Sequence, residues 1–262
     1  MPNDIVLEAQ EGIATITINR PSQRNAIDYK GWLELRRIAT TLAKDNEVKV
    51  VVVTGKGDEA FSAGADVKDF EEHRNNSTSA EKYATAFDGA LDAMEALPKP
   101  TLSLIKGFCV GGGCELSMAT DIRIAASNSR MGIPVARLGI LVGYSEMRRL
   151  VTLVGPGNAS YMLLSGRLID ADEAAGIGLV NLVVPLGKIE EYVHELALEI
   201  SRLAPLSHSR HKQILQAVLR DPSLADLTSE QKHLPYSNFD SEDFAEGRRA
   251  FVEHRTPRFK GR

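Results

Sequence analysis

The stretch "GFCVGGGCELSMATDIRIAA", residues 107–126, indicates the fold of this chain. Three consecutive glycines follow an apolar run, a second apolar segment begins at once, and a single carboxylate, Glu115, lies at the junction. Glycine permits backbone conformations and close approaches that a Cβ would block. We therefore predict a strand, a tight turn, a buried helix and then the buried strand "DIRIAA".

Alternating strands and helices are predicted on both sides of this stretch. Strand-type alternation around Gly12 predicts a hairpin, and apolar residues at helical spacing predict a helix that Asp28 caps. The β-branched run "VKVVVVTG" is typical of a strand covered on both faces. Buried strands that alternate with helices predict a parallel α/β core followed by a helical C-terminal part. The predicted elements are a hairpin at 5–19, a helix at 28–44, strands at 48–55, 99–108 and 121–126, a mobile surface loop at 71–81 followed by a helix to Leu97, and mainly helices beyond Pro185.

Composition narrows the functional class. The 262 residues carry a net charge of −4, whereas a nucleic-acid surface normally needs a basic excess. No apolar run approaches the roughly 18 residues of a membrane span, and the N-terminus shows no secretory pattern. The two cysteines, Cys109 and Cys114, lack the spacing of a zinc site. We expect a cytoplasmic protein with reduced thiols, no metal site, no nucleic-acid partner and no membrane partner.

Two glycine-rich turns follow buried strands, "GKGDEAFSAGAD" at 55–66 and "GFCVGGGCE" at 107–115. Helix N-termini carry unpaired N–H groups and a partial positive charge. Two such turns at neighbouring strand ends could direct two N–H groups at one oxygen, as an oxyanion hole requires. Alternatively, the glycines only permit close packing of strand and helix, and the spacing alone leaves both interpretations open.

The first turn also fits the dinucleotide-binding pattern, through Gly55, Gly57 and Ala60. That interpretation requires a helix within the motif and an acidic residue after the next strand. Gly64 interrupts the helix, and the next strand ends in Lys106 and Gly107 instead of an acid. The sequence therefore disfavours a nucleotide site at this turn.

Five segments, in order along nearly the whole chain, resemble the crotonase (enoyl-CoA hydratase/isomerase) superfamily. They are "NRPSQRNA" at 19–26, "AFSAGAD" at 60–66, residues 107–126 quoted above, "LLSGRLIDADEAAGIGLVNLVVP" at 163–185 and the terminal "FVEHRTPRFKGR". The resemblance implies a ββα spiral core, assigned here to residues 1–195, and a helical trimerisation region at 196–262. It also implies an acyl-CoA substrate, a homotrimer or a hexamer of paired trimers, and no cofactor beyond the coenzyme A of the substrate.

The resemblance further implies the roles of individual residues. The N–H groups of Ala65 and Gly112 would form the oxyanion hole, and Glu115 would move a proton or hold a water beside it. Asp66 would cap the turn after the oxyanion residue. The positions implied to bind the acyl-CoA are Arg24, Ala26, Ala63, Ala65, Asp66, Val67, Lys68, Gly111 and Gly112.

The sequence departs from the family's hydratases at Val135 and also at Tyr144 and Glu146, which occupy positions that are commonly small. Their second glutamate lies in a "PE" pair, where this chain has Pro134 and Val135. Glu146, in the first turn of the next helix, could replace the missing acid, or it could only stabilise the helix N-terminus. In a second account Glu115 acts alone while Tyr144 orients the substrate. In a third the enzyme decarboxylates a malonyl-type CoA ester and needs no second glutamate.

We interpret the chain as an enoyl-CoA hydratase/isomerase, with decarboxylation as the alternative. The resemblance also raises RNA binding, which the acidic charge balance disfavours. A non-catalytic assembly subunit is a further alternative. The retention of Glu115 and of both glycine turns argues against it.

Overall fold

A computed structural model describes residues 4–262 of the chain. The predicted N-terminal hairpin is confirmed, with Glu11 and Gly12 both at positive φ in a two-residue turn, the conformation that matches the twist of the flanking strands. The predicted helix cap is also confirmed, because Asp28 Oδ1 accepts a hydrogen bond from Gly31 N at 2.7 Å.

The structure contains ten strands and ten α-helices between residues 4 and 262, joined by short turns and five 3₁₀ segments. The strands are β1 Ile5–Gln10, β2 Ile13–Ile18, β3 Val50–Gly55, β4 Ala60–Ser62, β5 Thr101–Ile105, β6 Phe108–Val110, β7 Ile122–Ala126, β8 Arg130–Gly132, β9 Ile169–Asp170 and β10 Leu182–Val184. The helices are α1 Tyr29–Lys44, α2 Phe70–His73, α3 Ser77–Glu95, α4 Gly112–Met118, α5 Tyr144–Ser165, α6 Ala171–Gly176, α7 Ile189–Ser201, α8 Pro205–Arg220, α9 Ser229–Ser237 and α10 Glu242–Val252.

The strands form two sheets. The larger has the order β1-β2-β3-β5-β7-β10 and is parallel apart from the β1–β2 hairpin. The smaller has the order β4-β6-β8-β9 and is parallel apart from β8–β9. Each of β3, β5 and β7 is followed by a short strand of the second sheet, so the chain repeatedly passes from one sheet to the other.

The larger sheet is covered on both faces. Val51 and Val53 belong to a core cluster with residues of α1 and α3, whereas Val50 and Val52 belong to a second cluster with residues of α7. All four side chains are buried. The prediction of a strand covered on both faces is therefore confirmed, because alternate residues of β3 point to opposite sides of the sheet.

Two predicted elements were wrong. Residues 71–81 are not one surface loop, since they contain α2 residues and the first turns of α3. Asn76 begins α3 through a capping box, in which its side chain accepts from Ser79 N and the Ser79 hydroxyl accepts from Asn76 N. The single strand predicted at 99–108 is two strands in different sheets, because Gly107 turns the chain at φ +60°.

The chain beyond Pro185 is mainly helical, as predicted, and contains α7 to α10. The predicted boundary at 195/196 lies inside α7, which packs on the sheet as far as Ile200. The first predicted unit begins with residues 1–3, which lie outside the described residues. The division into two units and the oligomeric state remain predictions. No helix among residues 4–262 is both long and apolar enough to cross a bilayer.

Candidate active site

The two glycine-rich turns lie against each other. A Cβ on Gly64, which has φ +92°, would lie 2.7 Å from Val110 O and 2.8 Å from Gly112 N. A Cβ on Gly113 would lie 2.5 Å from Ser62 O. Real Cβ atoms do not approach backbone atoms this closely, so glycine at both positions allows the two backbones to meet.

Two backbone N–H groups remain unused where the turns meet. Ile27 pairs with the peptide groups around Ala65, since Ile27 N donates to Gly64 O at 2.8 Å and Asp66 N donates to Ile27 O at 2.9 Å. This pairing leaves the N–H of Ala65 itself without a backbone acceptor in the described part of the chain. The N–H of Gly112, the first residue of α4, likewise donates to no main-chain oxygen among residues 4–262. A Cβ on Gly112 would lie only 3.4 Å from Ala65 N, so the two amide groups are neighbours.

Both amides line a cavity of about 480 Å³. Its walls come from the two turns, from α2 and α3, and from the segment that leads into α5. The acidic residues in its lining are Glu81, Asp88, Glu115 and Glu146. Acidic groups and free backbone donors in one mainly apolar cavity are typical of a site that develops and neutralises charge.

Glu115 is 6% exposed, and its carboxyl group has no hydrogen-bond or ion-pair partner among the described residues. Burial raises its pKa to about 8, and the nearby charges of Glu146 and Asp88 act in the same direction. Arg74 and Arg149 oppose this shift. Glu115 is therefore largely protonated at neutral pH and can give a proton to a bound molecule.

Glu146 is 2% exposed and comes from the first turn of α5. Its Oε1 accepts a hydrogen bond from Arg149 Nη1 at 3.3 Å. Burial together with the nearby charge of Glu146 raises the pKa of Asp88, on α3, to about 6. Three acidic side chains with mutual electrostatic effects thus share one cavity.

The structure separates the sequence-predicted site residues into two groups. Those that line the cavity are Ala63, Ala65, Val67, Gly111, Gly112, Glu115 and Glu146. Those that do not are Arg24, Ala26, Asp66, Lys68 and Tyr144.

The residues outside the cavity have other contacts. The side chain of Asp66 accepts a hydrogen bond from Lys68 N at 3.1 Å, as the cap interpretation predicted, and it also pairs with Arg20. Arg24 pairs with Glu59 and lies over the Phe108 ring. Tyr144 is 98% exposed in the single chain. It is the first residue of α5, two residues before Glu146, and its role in orienting the substrate stays a prediction.

A family model described as "Enoyl-CoA hydratase/isomerase" matches residues 8–262. The chain belongs to this family. It is 35% identical over 253 residues to the short-chain-enoyl-CoA hydratase of Clostridium acetobutylicum, covering 97% of this chain and 96% of that one. It is 34% identical to the crotonyl-CoA hydratase of Syntrophomonas wolfei, covering 98% and 97% of the two chains.

Solved structures give the same result. An enoyl-CoA hydratase/carnithine racemase from Magnetospirillum magneticum superimposes with a TM-score of 0.95 at 35% identity, covering 100% of this chain and 97% of that one. The predicted crotonase-type α/β fold is therefore confirmed, and the chain is an enzyme of the enoyl-CoA hydratase/isomerase family.

The dinucleotide alternative fails for this family member. After Gly55 and Gly57 the chain enters the short strand β4, and no helix begins there to receive a pyrophosphate.

A potential metal cluster, which the sequence analysis did not identify, is formed by Asp69, Glu72 and His73, whose ligand atoms lie within 4.8 Å of one another. Asp69 already accepts hydrogen bonds from Tyr29 N and pairs with His73, which accounts for its position without an ion.

Sequence reasoning missed three charged residues of the cavity, Arg74, Glu81 and Asp88. Asp88 lies on α3 one helical turn from Ala84 and Leu91. A carboxylate beside an apolar stripe is the sequence pattern that could have identified it. Arg74 lies in the segment predicted as a surface loop. Because of that prediction, Arg74 was not considered as a site residue.

Proposed function

We propose that this enzyme adds water to the double bond of a 2-enoyl-CoA thioester, with a shift of the double bond as the related reaction. One observation carries the proposal. The N–H groups of Ala65 and Gly112 have no main-chain acceptor within residues 4–262, are neighbours, and line the same cavity as the buried carboxyl of Glu115.

In this proposal the two N–H groups hold the carbonyl oxygen of the thioester. When water adds to the double bond, negative charge develops on that oxygen as an enolate forms. Fixed backbone donors stabilise this charge without reorganising, and each is typically worth about 3 kcal/mol in the transition state.

The proton transfers are assigned to the two buried glutamates. Glu115, protonated because its pKa is raised to about 8, gives its proton to the α-carbon. Glu146, beside the positive charge of Arg149, accepts the proton that the attacking water loses as its oxygen bonds to the β-carbon. The two carboxyl groups then exchange protons with solvent before the next turnover. Glu115 and Glu146 lie in one cavity, which supports Glu146 as the replacement for the second glutamate, whose position is occupied by Val135 in this chain.

The remainder of the substrate is assigned to the predicted coenzyme A path. Ala63 and Val67 line the cavity, and Val67 is 52% exposed at its edge. Lys68 and Arg24, on the adjoining surface, are proposed to lie towards the nucleotide end. Coenzyme A enters only as part of the substrate, and the proposal requires no separate cofactor.

The test is mass spectrometry of the products from crotonyl-CoA and from methylmalonyl-CoA. Hydration predicts the gain of one water by crotonyl-CoA, whereas the decarboxylase alternative predicts the loss of carbon dioxide from methylmalonyl-CoA. Glu115→Gln should lower turnover of the enoyl-CoA at least about 10²-fold while the variant stays folded.

Glu146→Gln, which retains a polar group beside Arg149, tests the second proton transfer. A fall in kcat comparable with that of Glu115→Gln supports Glu146 as the second acid. Unchanged hydration kinetics would remove Glu146 from the mechanism. Full activity in Glu115→Gln would contradict the proposed chemistry as a whole.

A further inference from the structure

The cavity contains a cationic side chain that the proposed hydration does not use. Arg74 follows α2 directly and lines the cavity with Glu115 and Asp88. Its guanidinium carbon lies 4.7 Å from the ring centre of Phe70 and 4.8 Å from that of Tyr83. Two aromatic rings therefore hold the guanidinium group in place.

Arg74 has no carboxylate partner anywhere in residues 4–262; its recorded side-chain contacts are with the two rings. Two other arginines near the cavity are already paired. Arg149 binds Glu95 at 2.6 Å and also contacts Asp92 and Glu146, and Arg20 binds Asp66 at 2.9 Å. Among the described residues that line the cavity, Arg74 is the one arginine or lysine, and its charge is available to an anionic ligand.

The two rings that contact Arg74 differ in burial but both belong to the cavity wall. The hydroxyl of Tyr83 accepts a hydrogen bond from Trp32 Nε1 at 2.8 Å, which fixes the Tyr83 ring in the core. A guanidinium group that is pre-positioned on fixed rings loses little rotamer entropy when it binds an anion. The arrangement has the properties of a built binding site.

We propose that the acyl group of the substrate carries a second carboxylate at its far end and that Arg74 binds this carboxylate. The proposal deepens the proposed function, since it rests on the same cavity holding the acyl group of an acyl-CoA. Guanidinium and carboxylate match as planar, two-pronged partners. A purely hydrocarbon acyl group would instead cover the guanidinium and leave a charge without a partner.

Of the acidic residues in the cavity lining, Glu115 does not oppose such a ligand, whereas Glu81, Asp88 and Glu146 have to be outweighed by Arg74. Glu115 is largely protonated at neutral pH, because its pKa is raised to about 8, and therefore does not repel a carboxylate there. Arg74 itself lines the cavity, and its positive charge lowers the pKa of Glu115 and of Tyr83.

The test measures binding, so it does not depend on turnover. Isothermal titration compares saturated ligands in pairs of equal chain length: glutaryl- with valeryl-CoA, adipoyl- with hexanoyl-CoA, and pimeloyl- with heptanoyl-CoA. Both members of a pair carry the same coenzyme A, so any contact of Arg74 with a coenzyme phosphate cancels from the comparison.

We expect the unmodified protein to bind the carboxylated member of at least one pair about 10-fold or more tightly. Arg74→Gln should reduce that preference to within about 2-fold while changing the affinity for the uncharged member by less than about 3-fold. Arg74→Lys should retain part of the preference, since it keeps the charge without the two-pronged geometry. Arg37→Gln, which removes a charge from the exposed face of α1, is the matched control and should retain all of it.

Three results would overturn the inference: equal affinities within every pair, a preference that persists in Arg74→Gln, or an equal loss of affinity for both members in that variant. The last result would assign Arg74 to coenzyme A itself. Absence of hydration of both crotonyl-CoA and the carboxylated 2-enoyl-CoAs would contradict the proposed function instead, and the pairwise binding preference would still decide the role of Arg74.

Discussion

Nη1 of Arg149 lies 3.3 Å from Oε1 of Glu146, and each of the two side chains is only 3% exposed. The same guanidinium group also binds Asp92 and Glu95 of α3. Arg149 thus joins α5 to α3 and sets the position of an acid that α5 presents to the cavity. A buried charge of this kind is stable only while its partners are present.

Replacing Arg149 by Met should destabilise the fold by about 3–5 kcal/mol, because Glu146 would keep a buried charge without its partner. Arg148→Met is the matched control. The neighbouring Arg148 is 49% exposed and lies 3.4 Å from the same Glu95, so its loss should cost no more than about 1 kcal/mol. Urea unfolding followed by circular dichroism measures both. Equal effects of the two substitutions would show that burial of the Arg149 pair does not matter.

Gly64→Ala tests the contact between the two glycine-rich turns. Its Cβ would press on Val110 O and Gly112 N, so we expect the two amides to separate and turnover to fall at least about 10²-fold. Gly57→Ala is the control, since Gly57 has a similar φ of +81° but no atom within 4 Å of the added Cβ. It should cost about 1 kcal/mol of stability through backbone strain and leave turnover unchanged. Similar turnover in both variants would count against the two-amide site.

The pKa of Glu115 should respond in opposite directions to two substitutions in the cavity. Asp88→Asn removes a negative charge that raises this pKa, so the pKa should fall. Arg74→Gln removes a positive charge that lowers it, so the pKa should rise. Carbon NMR of labelled glutamate carboxyls, assigned with Glu115→Gln, measures the shifts. Asp226→Asn, at an exposed position between α8 and α9, should leave the pKa unchanged, and shifts of the same sign in the two cavity variants would refute the assignment.

Stability should depend on pH through Glu115. Its ordinary pKa is 4.5 and rises to about 8 on folding, so the folded protein binds this proton more tightly than the unfolded chain between those values. The stabilising contribution of protonated Glu115 to the free energy of unfolding is then present in full below pH 4.5. It is lost as the pH rises through 8.

Glu115→Gln should remove this dependence. Relative to the unmodified protein, the variant should gain roughly 2–4 kcal/mol of unfolding free energy between pH 5 and pH 9. Because the comparison is a difference, other titrating groups, including His208 with its lowered pKa, contribute equally and cancel. A difference that does not change with pH would show that Glu115 is not protonated in the folded cavity at neutral pH.

Much of the fold follows from local sequence. Alternation around Gly12 gave the hairpin, the β-branched run gave the covered strand β3, and Asp28 gave the start of α1. The glycines at 64 and 111–113 also indicated where two backbones would meet. These features are local because the side-chain period of a strand or helix and the need for glycine at positive φ act within a few residues.

The prediction failed where the decisive contacts are distant in sequence. A polar composition at 71–81 indicated a loop, but packing of α3 against α1 helped to make most of it helical. The capping box at Asn76 is a local signal that the sequence analysis overlooked. Tyr144 and Glu146 lie two residues apart at the start of α5. The orientation of α5 about its own axis directs Glu146 into the cavity and leaves Tyr144 exposed. The spacing of the two residues does not reveal this until the buried face of the helix is known.

The sequence by itself determined the family, the α/β architecture, the two glycine turns and the place of Glu115 beside them. Only the tertiary structure decided that Asp88, Glu146 and Arg74 share the cavity with Glu115 and that Arg74 lacks a partner there. The physical reason is that the burial, charge and pKa of a side chain depend on which faces of distant elements pack together. No periodic pattern along the chain encodes that pairing.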